Sequence, residues 1–157
     1  MRPPCSRLAV GALSVAVITV AAASPAMAST VASGGGTLQL GPPSLIWEHA
    51  FGSELLTYEG GSLAFTGTIA GTGTIDVLAV VSTTGSETFV SNWSAPATVD
   101  GKTGLLNISF DGTDNGTYSG TLFAYGTGKL AGVVGNGRFS GLDATGAGTY
   151  TLTYVQG

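Results

Sequence analysis

Apolar and polar residues alternate along most of this chain, and no other feature restricts its fold as strongly. The stretch TIDVLAVV, from Thr74, has this pattern, and KTGLLNISF, GTYSGTLFAY and GTYTLTYV repeat it. Successive side chains of an extended strand point to opposite faces, so a period of two predicts β-strands. The residues predicted to share one face are Ile75, Val77, Ala79 and Val81 in the first stretch and Leu106, Ile108 and Phe110 in the second.

Glycine-containing motifs divide the chain into short strands. YEGG, AGTG, TTGS, VDGK and TDNG each place a glycine where a tight hairpin requires a positive φ. No helical stretch is long enough for crossovers, so we expect antiparallel pairing and an all-β fold, a small antiparallel up-and-down β-barrel of about eight strands. Strands are expected near residues 37–40, 44–51, 62–69, 74–82, 87–94, 102–110, 116–125 and 149–155, with a further extended segment at 129–140.

The first residues have the layout of a secretory signal peptide. Arg2 and Arg7 precede an apolar run, and the small-residue site Ala-Met-Ala ends at Ala28. We therefore expect residues 1–28 to be a cleaved signal, residues 29–157 to form a single β-barrel domain, and the product to be secreted, with no stable membrane insertion after cleavage. The alternative is an uncleaved anchor, although the run is shorter than a spanning helix.

Charge restricts the expected partners. Residues 29–157 keep Lys102, Lys129 and Arg138 against all nine acidic residues, a net charge of −6. Nucleic acids and anionic membrane surfaces require clustered basic residues, so neither is expected as a partner. His49 is the only histidine and Cys5 lies in the signal, so no metal site and no cofactor is expected.

The run GTGKLAGVVGNGRF, residues 126–139, poses a separate question because it is so rich in glycine. A dinucleotide-binding loop needs a helix after its glycines, and none is predicted here. The alternative is a strand with kinks and a tight turn, formed by the glycines at 126, 128, 132, 135 and 137. A weak repeat points the same way: FTGTIAGT, FDGTDNGT and FSGLDATG each begin with a phenylalanine that we expect to end a strand and pack inward.

The same run, with GTYTLTYV after it, resembles the C-terminal half of a bacterial domain family of unknown function that has the allene oxide cyclase-like, or dirigent-like, β-barrel. IWEHAF and FTGTIAGTGTIDVLAVV are similar to earlier strands of that family, so the resemblance covers about Leu45 to Val155. The chain departs from the family in having valines in DVLAVV and a compact FGSELLTYEGG. The resemblance implies the barrel and leaves its contents open.

Two carboxylates are the candidate catalytic residues. Asp76 lies mid-strand beside Leu78 and Val80, where a carboxylate needs a hydrogen bond or a proton unless that face is solvated. Glu48 lies on the opposite strand face from His49. The resemblance implies acidic residues at both positions, and in the plant cyclases a barrel carboxylate steers a reactive intermediate.

Three ring-bearing side chains are the candidate ligand-binding residues. Trp47 and His49 share a strand face, which would line the lumen if it points inward. Trp93 could line a pocket or form a sugar-stacking surface. The alternative for the two tryptophans is packing in the core or cover on the exterior, and the alternative for His49 is a hydrated exterior position beside Trp47.

These residues leave two hypotheses. The first is a non-catalytic secreted barrel, compatible with a homo-oligomer, with a lumen that is filled or holds a small apolar ligand. The alternative is an isomerase or cyclase of the allene oxide cyclase type, acting on a lipid-like substrate. An inward carboxylate at the floor of an open pocket would favour the enzyme, whereas outward carboxylates around a filled lumen would favour the barrel without activity.

Overall fold

The structure, a computed structural model, describes residues 29–157, so the predicted signal peptide 1–28 lies outside the described residues. Nine β-strands and two short 3-10 turns, Gly128–Leu130 and Asp143–Thr145, make up the fold. The strands are β1 (Thr30–Leu40), β2 (Ser44–Phe51), β3 (Glu54–Gly67), β4 (Ile69–Val81), β5 (Glu87–Val99), β6 (Lys102–Asp114), β7 (Thr117–Thr127), β8 (Val134–Leu142) and β9 (Ala147–Gln156).

Eight of the nine strands close into an antiparallel barrel. From β3 to β9 each strand pairs with the next, and β1 closes the ring by pairing with β9 on one side and β3 on the other. The prediction of an all-β, up-and-down barrel of about eight strands is therefore confirmed. The ninth strand, β2, pairs with the first half of β3 and lies outside the ring.

The interior of the barrel is packed with aromatic and branched apolar side chains. The faces predicted from the alternation of β4 and β6 point inward, and Ile75, Ile108 and Phe110 are buried. The three repeated phenylalanines, Phe65, Phe110 and Phe139, also pack inward, with Phe110 between the other two at centroid distances of 6.4 and 5.3 Å. They lie within their strands and do not end them.

Three of the five predicted glycine turns are present. The chain turns at TTGS, VDGK and TDNG, where Gly85, Gly101 and Gly116 have positive φ. The turns predicted at YEGG and AGTG are wrong, because both motifs lie inside strands. The chain instead turns at Gly52 and at Gly67, with φ of 63° and 100°.

The glycine run 126–139 forms a turn and a strand, as the alternative interpretation predicted. Gly128 and Gly132 take positive φ around the 3-10 turn, and β8 begins at Val134. Inside β8, a Cβ at Gly137 would come within 1.8 Å of the Thr151 carbonyl oxygen of β9. Glycine therefore allows the two strands to approach closely, and no α-helix follows the run to hold a phosphate.

Candidate functional site

The candidate site is a pocket at one end of the barrel, where β1 and β2 pair with successive parts of the same edge of β3. β1 pairs with β3 as far as Leu40, and β2 takes over the same edge of β3 from Ser44. No described strand pairs with the other edge of β2. The sheet of β2, β3 and β4 therefore continues past the closed ring, and the interior stays open beside it.

The walls of this pocket are apolar and its volume is small. The space measures about 110 Å³, and the buried Ser91, 2% exposed, is the one neutral hydroxyl-bearing residue on its walls besides Tyr118. The apolar side chains that line it are Leu38, Leu40, Pro43, Leu63, Ile75, Val77, Phe89, Phe110 and Phe139.

Four carboxyl groups also line the pocket, and we call them the acidic mouth. They are Glu59 of β3, Glu87 at the start of β5, Asp114 at the end of β6 and Asp143 in the second 3-10 turn. Glu87 and Asp114 are direct cross-strand neighbours, an arrangement in which like charges repel. Among residues 29–157, no lysine, arginine or histidine lines the pocket, so none of their cationic side chains neutralises the mouth.

The mouth changes the protonation equilibria of its own residues. Burial raises the pKa of the Glu87 carboxyl, and the charges of Glu59, Asp114 and Asp143 raise it further. Burial also raises the pKa of Asp114, against the lowering effect of a 2.7 Å hydrogen bond from the Gly116 N–H. Both carboxyls therefore hold a proton more tightly than free side chains do.

Tyr118 connects the mouth to the turn that carries Asp143. Its hydroxyl donates a 2.9 Å hydrogen bond to the Gly146 carbonyl, directly after that turn. Burial, followed by the charges of Asp114 and Asp143, raises the pKa of Tyr118 from its usual 10.0 to about 12. The side chain therefore stays a neutral hydrogen-bond donor at physiological pH.

Three of the predicted site residues lie on β2 and are exposed. Trp47 stacks on Tyr58 of β3 at a centroid distance of 5.9 Å on the outer face of the sheet, and His49 points to the same side. Glu48 lies opposite Thr57, on the face that continues the barrel interior, yet its side chain is exposed. None of the three lines the pocket.

The other two predicted residues lie on opposite sides of the barrel wall. Asp76 is exposed on the outer face, opposite Asn92 of β5. Trp93 is buried, donates a 3.1 Å hydrogen bond from Nε1 to the Leu63 carbonyl and packs edge-on against Phe65. Neither lines the pocket, and the roles proposed for all five residues remain predictions.

The acidic mouth was not predicted from the sequence, although the sequence does contain a signal for the pairing of Glu87 with Asp114. The two-residue turn at Asp100–Gly101 fixes the register of β5 and β6, because hairpin turn geometry sets which residues face each other. Glu87 and Asp114 are equally distant from that turn and therefore pair. Glu59 and Asp143 reach the mouth only through closure of the barrel, for which the sequence has no local signal.

Comparison with known proteins gives one family. The model of the family described as "Protein of unknown function (DUF3224)" matches residues 54–154. The chain belongs to the DUF3224 family. A solved structure from that family, a protein of unknown function from Shewanella oneidensis MR-1, is similar with a TM-score of 0.63 and 18% identity, over 82% of this chain and 98% of that chain. At that identity the likeness shows the DUF3224 fold alone, and no curated protein matches the sequence.

Two further properties of the DUF3224 barrel bear on its chemistry. Within residues 29–157, no three His, Cys, Asp or Glu side chains are placed so that they could hold a metal ion together. No helix in the same part of the chain is long and apolar enough to cross a membrane.

Proposed function

We propose that this DUF3224 protein is an exported, non-catalytic barrel that binds one small, mainly apolar molecule in the pocket at its open end. The observation that carries the proposal is the pocket itself, which combines apolar walls with an acidic mouth and, in the described part of the chain, has no basic residue on its walls. A cavity of about 150 Å³ lined by Leu, Ile and Phe binds benzene. The pocket, at about 110 Å³, suits a ligand whose apolar part is close to one ring.

The acidic mouth indicates the polar end of that ligand. The negative charges of the four carboxylates repel one another, and a positive charge among them would remove part of this repulsion. The ligand that fits best therefore has a ring-sized apolar body and a protonated amine. A carboxylate in the same position would add to the repulsion and should be rejected.

Three probes with one ring and different charges test this proposal. We expect benzylamine to bind more tightly than benzyl alcohol, and benzoate to bind least, in a calorimetric titration at neutral pH. Glu87→Gln should weaken benzylamine binding and leave benzyl alcohol binding nearly unchanged. Glu54→Gln, on the β2–β3 hairpin and outside the pocket, is the matched control and should change neither.

A pocket-filling variant shows where the probes bind. A Cβ at Gly61 would meet the Ile75 Cγ2 at 3.7 Å, which is ordinary van der Waals contact, so Gly61→Leu can fill the pocket without a backbone clash. It should abolish binding of benzylamine. If benzylamine still binds to Gly61→Leu, or if none of the three probes binds to the wild type, the pocket is not the site.

Export is part of the proposal and rests on residues 1–28. The support is the sequence pattern: basic residues, an apolar run and a small-residue cleavage site ending at Ala28. The intact mass of the protein recovered from the host's medium should correspond to a chain that begins at Ser29. A full-length chain found only in the cell fraction would contradict export.

A second candidate, an isomerase or cyclase acting on a lipid-like substrate, is favoured by one observation. The carboxyl of Glu87 has a raised pKa beside apolar walls, which suits a proton donor to an apolar substrate. The test is incubation with an extract of the host's lipids, followed by analysis for changed isomers. Conversion by the wild type but not by Glu87→Gln would support the enzyme, and unchanged lipids would support binding alone.

A further inference from the structure

We infer that the outer surface of β5 to β9 is a second binding site, a shallow groove that takes a neutral oligosaccharide. The groove has a volume of about 820 Å³ and continues into a neighbouring depression of about 570 Å³. The two share Thr121, Arg138 and Thr151. The groove is lined in part by the inward-facing Ser91, Phe110 and Leu122. The inference rests on the outward-facing side chains alone, which point away from the lumen, and it is therefore independent of the ligand proposed for the inner pocket.

The floor of the groove is a regular grid made by strand register. One row of cross-strand neighbours runs through Asn92, Ser109, Phe123, Asn136 and Thr153. The next row, two residues further along each strand, runs through Val90, Asp111, Thr121, Arg138 and Thr151, of which Val90 is apolar and 47% exposed. Strands lie about 4.8 Å apart, so the five strands cover about 19 Å along the curved outer wall of the barrel.

The chemistry of the grid fits a ligand that is covered with hydroxyl groups. The amides of Asn92 and Asn136 each offer donors and an acceptor, and the guanidinium of Arg138 offers a planar set of donors. The carboxylate of Asp111 accepts hydrogen bonds, and serine and threonine hydroxyls between these groups do both. A sugar hydroxyl also donates and accepts, so it can pair with every polar member of the grid.

The single aromatic residue of the grid indicates a second property of the ligand, a flat apolar face. Phe123 is 47% exposed in the middle of the first row, with Ser109 and Asn136 as its neighbours on either side. An exposed aromatic ring among polar groups offers a flat apolar face. A pyranose presents a flat C–H face and hydroxyl edges, and therefore matches the ring and the surrounding polar groups together.

Charge selects a neutral saccharide over charged polymers. The grid holds one cation, Arg138, and one anion, Asp111, on a chain whose residues 29–157 have a net charge of −6. Nucleic acids and strongly anionic polysaccharides require several clustered basic residues. The groove has no net charge, and an uncharged ligand meets no repulsion there.

Native gel electrophoresis through soluble polysaccharides tests the inference. Laminarin and glycol chitin serve as hydroxyl-rich probes without acidic groups, alginate as the anionic probe, and a gel without polysaccharide as the reference. We expect at least one of the first two to slow the wild-type protein and alginate to leave its mobility unchanged. Phe123→Ala and Arg138→Gln should each raise the apparent Kd at least about tenfold.

Two matched variants separate the groove from the rest of the surface. Phe51→Ala removes an exposed phenylalanine of β2, and Lys129→Gln removes a cation of the first 3-10 turn; neither residue lines the groove, and both variants should be slowed like the wild type. The inference is overturned if neither neutral probe slows the wild type, if Phe123→Ala with an unchanged melting temperature is slowed as strongly, or if alginate alone retards the protein.

Discussion

The hydroxyl of Tyr150 should hold one end of the barrel together, and its removal is a sharp test of the structure. Tyr150 lies on β9, and its oxygen accepts a 2.7 Å hydrogen bond from the Ile69 N–H at the start of β4. The hydroxyl hydrogen can be donated to the carbonyl of Thr66 or of Ile69, at 3.2 and 3.3 Å. One side chain thus satisfies both a donor and an acceptor at the β3–β4 turn.

The loss of stability expected for Tyr150→Phe follows from the burial of the Ile69 N–H. Ile69 is fully buried, so in Tyr150→Phe no water replaces the lost partner of its N–H, and an unsatisfied buried group costs about 1–3 kcal/mol. The carbonyl that loses its donor adds to this cost, whereas the ring keeps its edge-on contact with Phe65 at 5.3 Å. We therefore expect the free energy of unfolding to fall by about 2–3 kcal/mol.

Urea denaturation measures this loss. With a slope of about 2 kcal/mol per molar urea, the midpoint of Tyr150→Phe should fall by about 1–1.5 M. Tyr125→Phe is the matched control, because Tyr125 is 45% exposed on the outer face and its change should stay within about 0.5 kcal/mol. A midpoint for Tyr150→Phe that equals the control's would refute the argument that this hydroxyl satisfies buried backbone groups.

Three further changes should alter stability in known directions. The buried Thr57 hydroxyl has no hydrogen-bond partner among the described residues, so Thr57→Val should raise the free energy of unfolding by about 1 kcal/mol in urea denaturation. Glu87 and Asp114 have folded-state pKa values raised above 4.5 and 3.8, so their contribution to stability is fully present below these values and is lost as pH rises through the folded pKa values. Glu87→Gln should flatten that dependence in melts between pH 4 and 7, whereas Glu54→Gln should not. A hydrogen bond to Asp100, with burial, raises the pKa of Tyr154 to about 12, and the pKa of Tyr118 is similar. The folded chain therefore keeps protons that the unfolded chain releases near pH 10, and circular dichroism with tyrosinate absorbance should show unfolding between about pH 10 and 12.

The alternation of residues predicts the strand faces well because the barrel buries one face of every strand. Ile75 and Phe110 point inward for that reason, and Asp76, between two inward residues, points outward. The glycines are harder to interpret, since the same residue serves two purposes. Gly67 takes a φ of 100° in a turn, whereas a Cβ at Gly73 would lie 3.0 Å from the Trp93 Nε1, so Gly73 makes room for the indole inside a strand.

The acidic mouth shows where such local signals end. A glutamate beside a turn, such as Glu87, is ordinarily solvated, and nothing near it in the sequence distinguishes it from Glu54. Hairpin register brings Asp114 opposite Glu87, but only the closed ring adds Asp143, whose charge reaches both carboxyls and Tyr118. Selection on β-strand pattern alone would allow a lysine at any of these positions. The protonated amine that we propose as the polar end of the ligand would supply the positive charge that the lining of the pocket lacks.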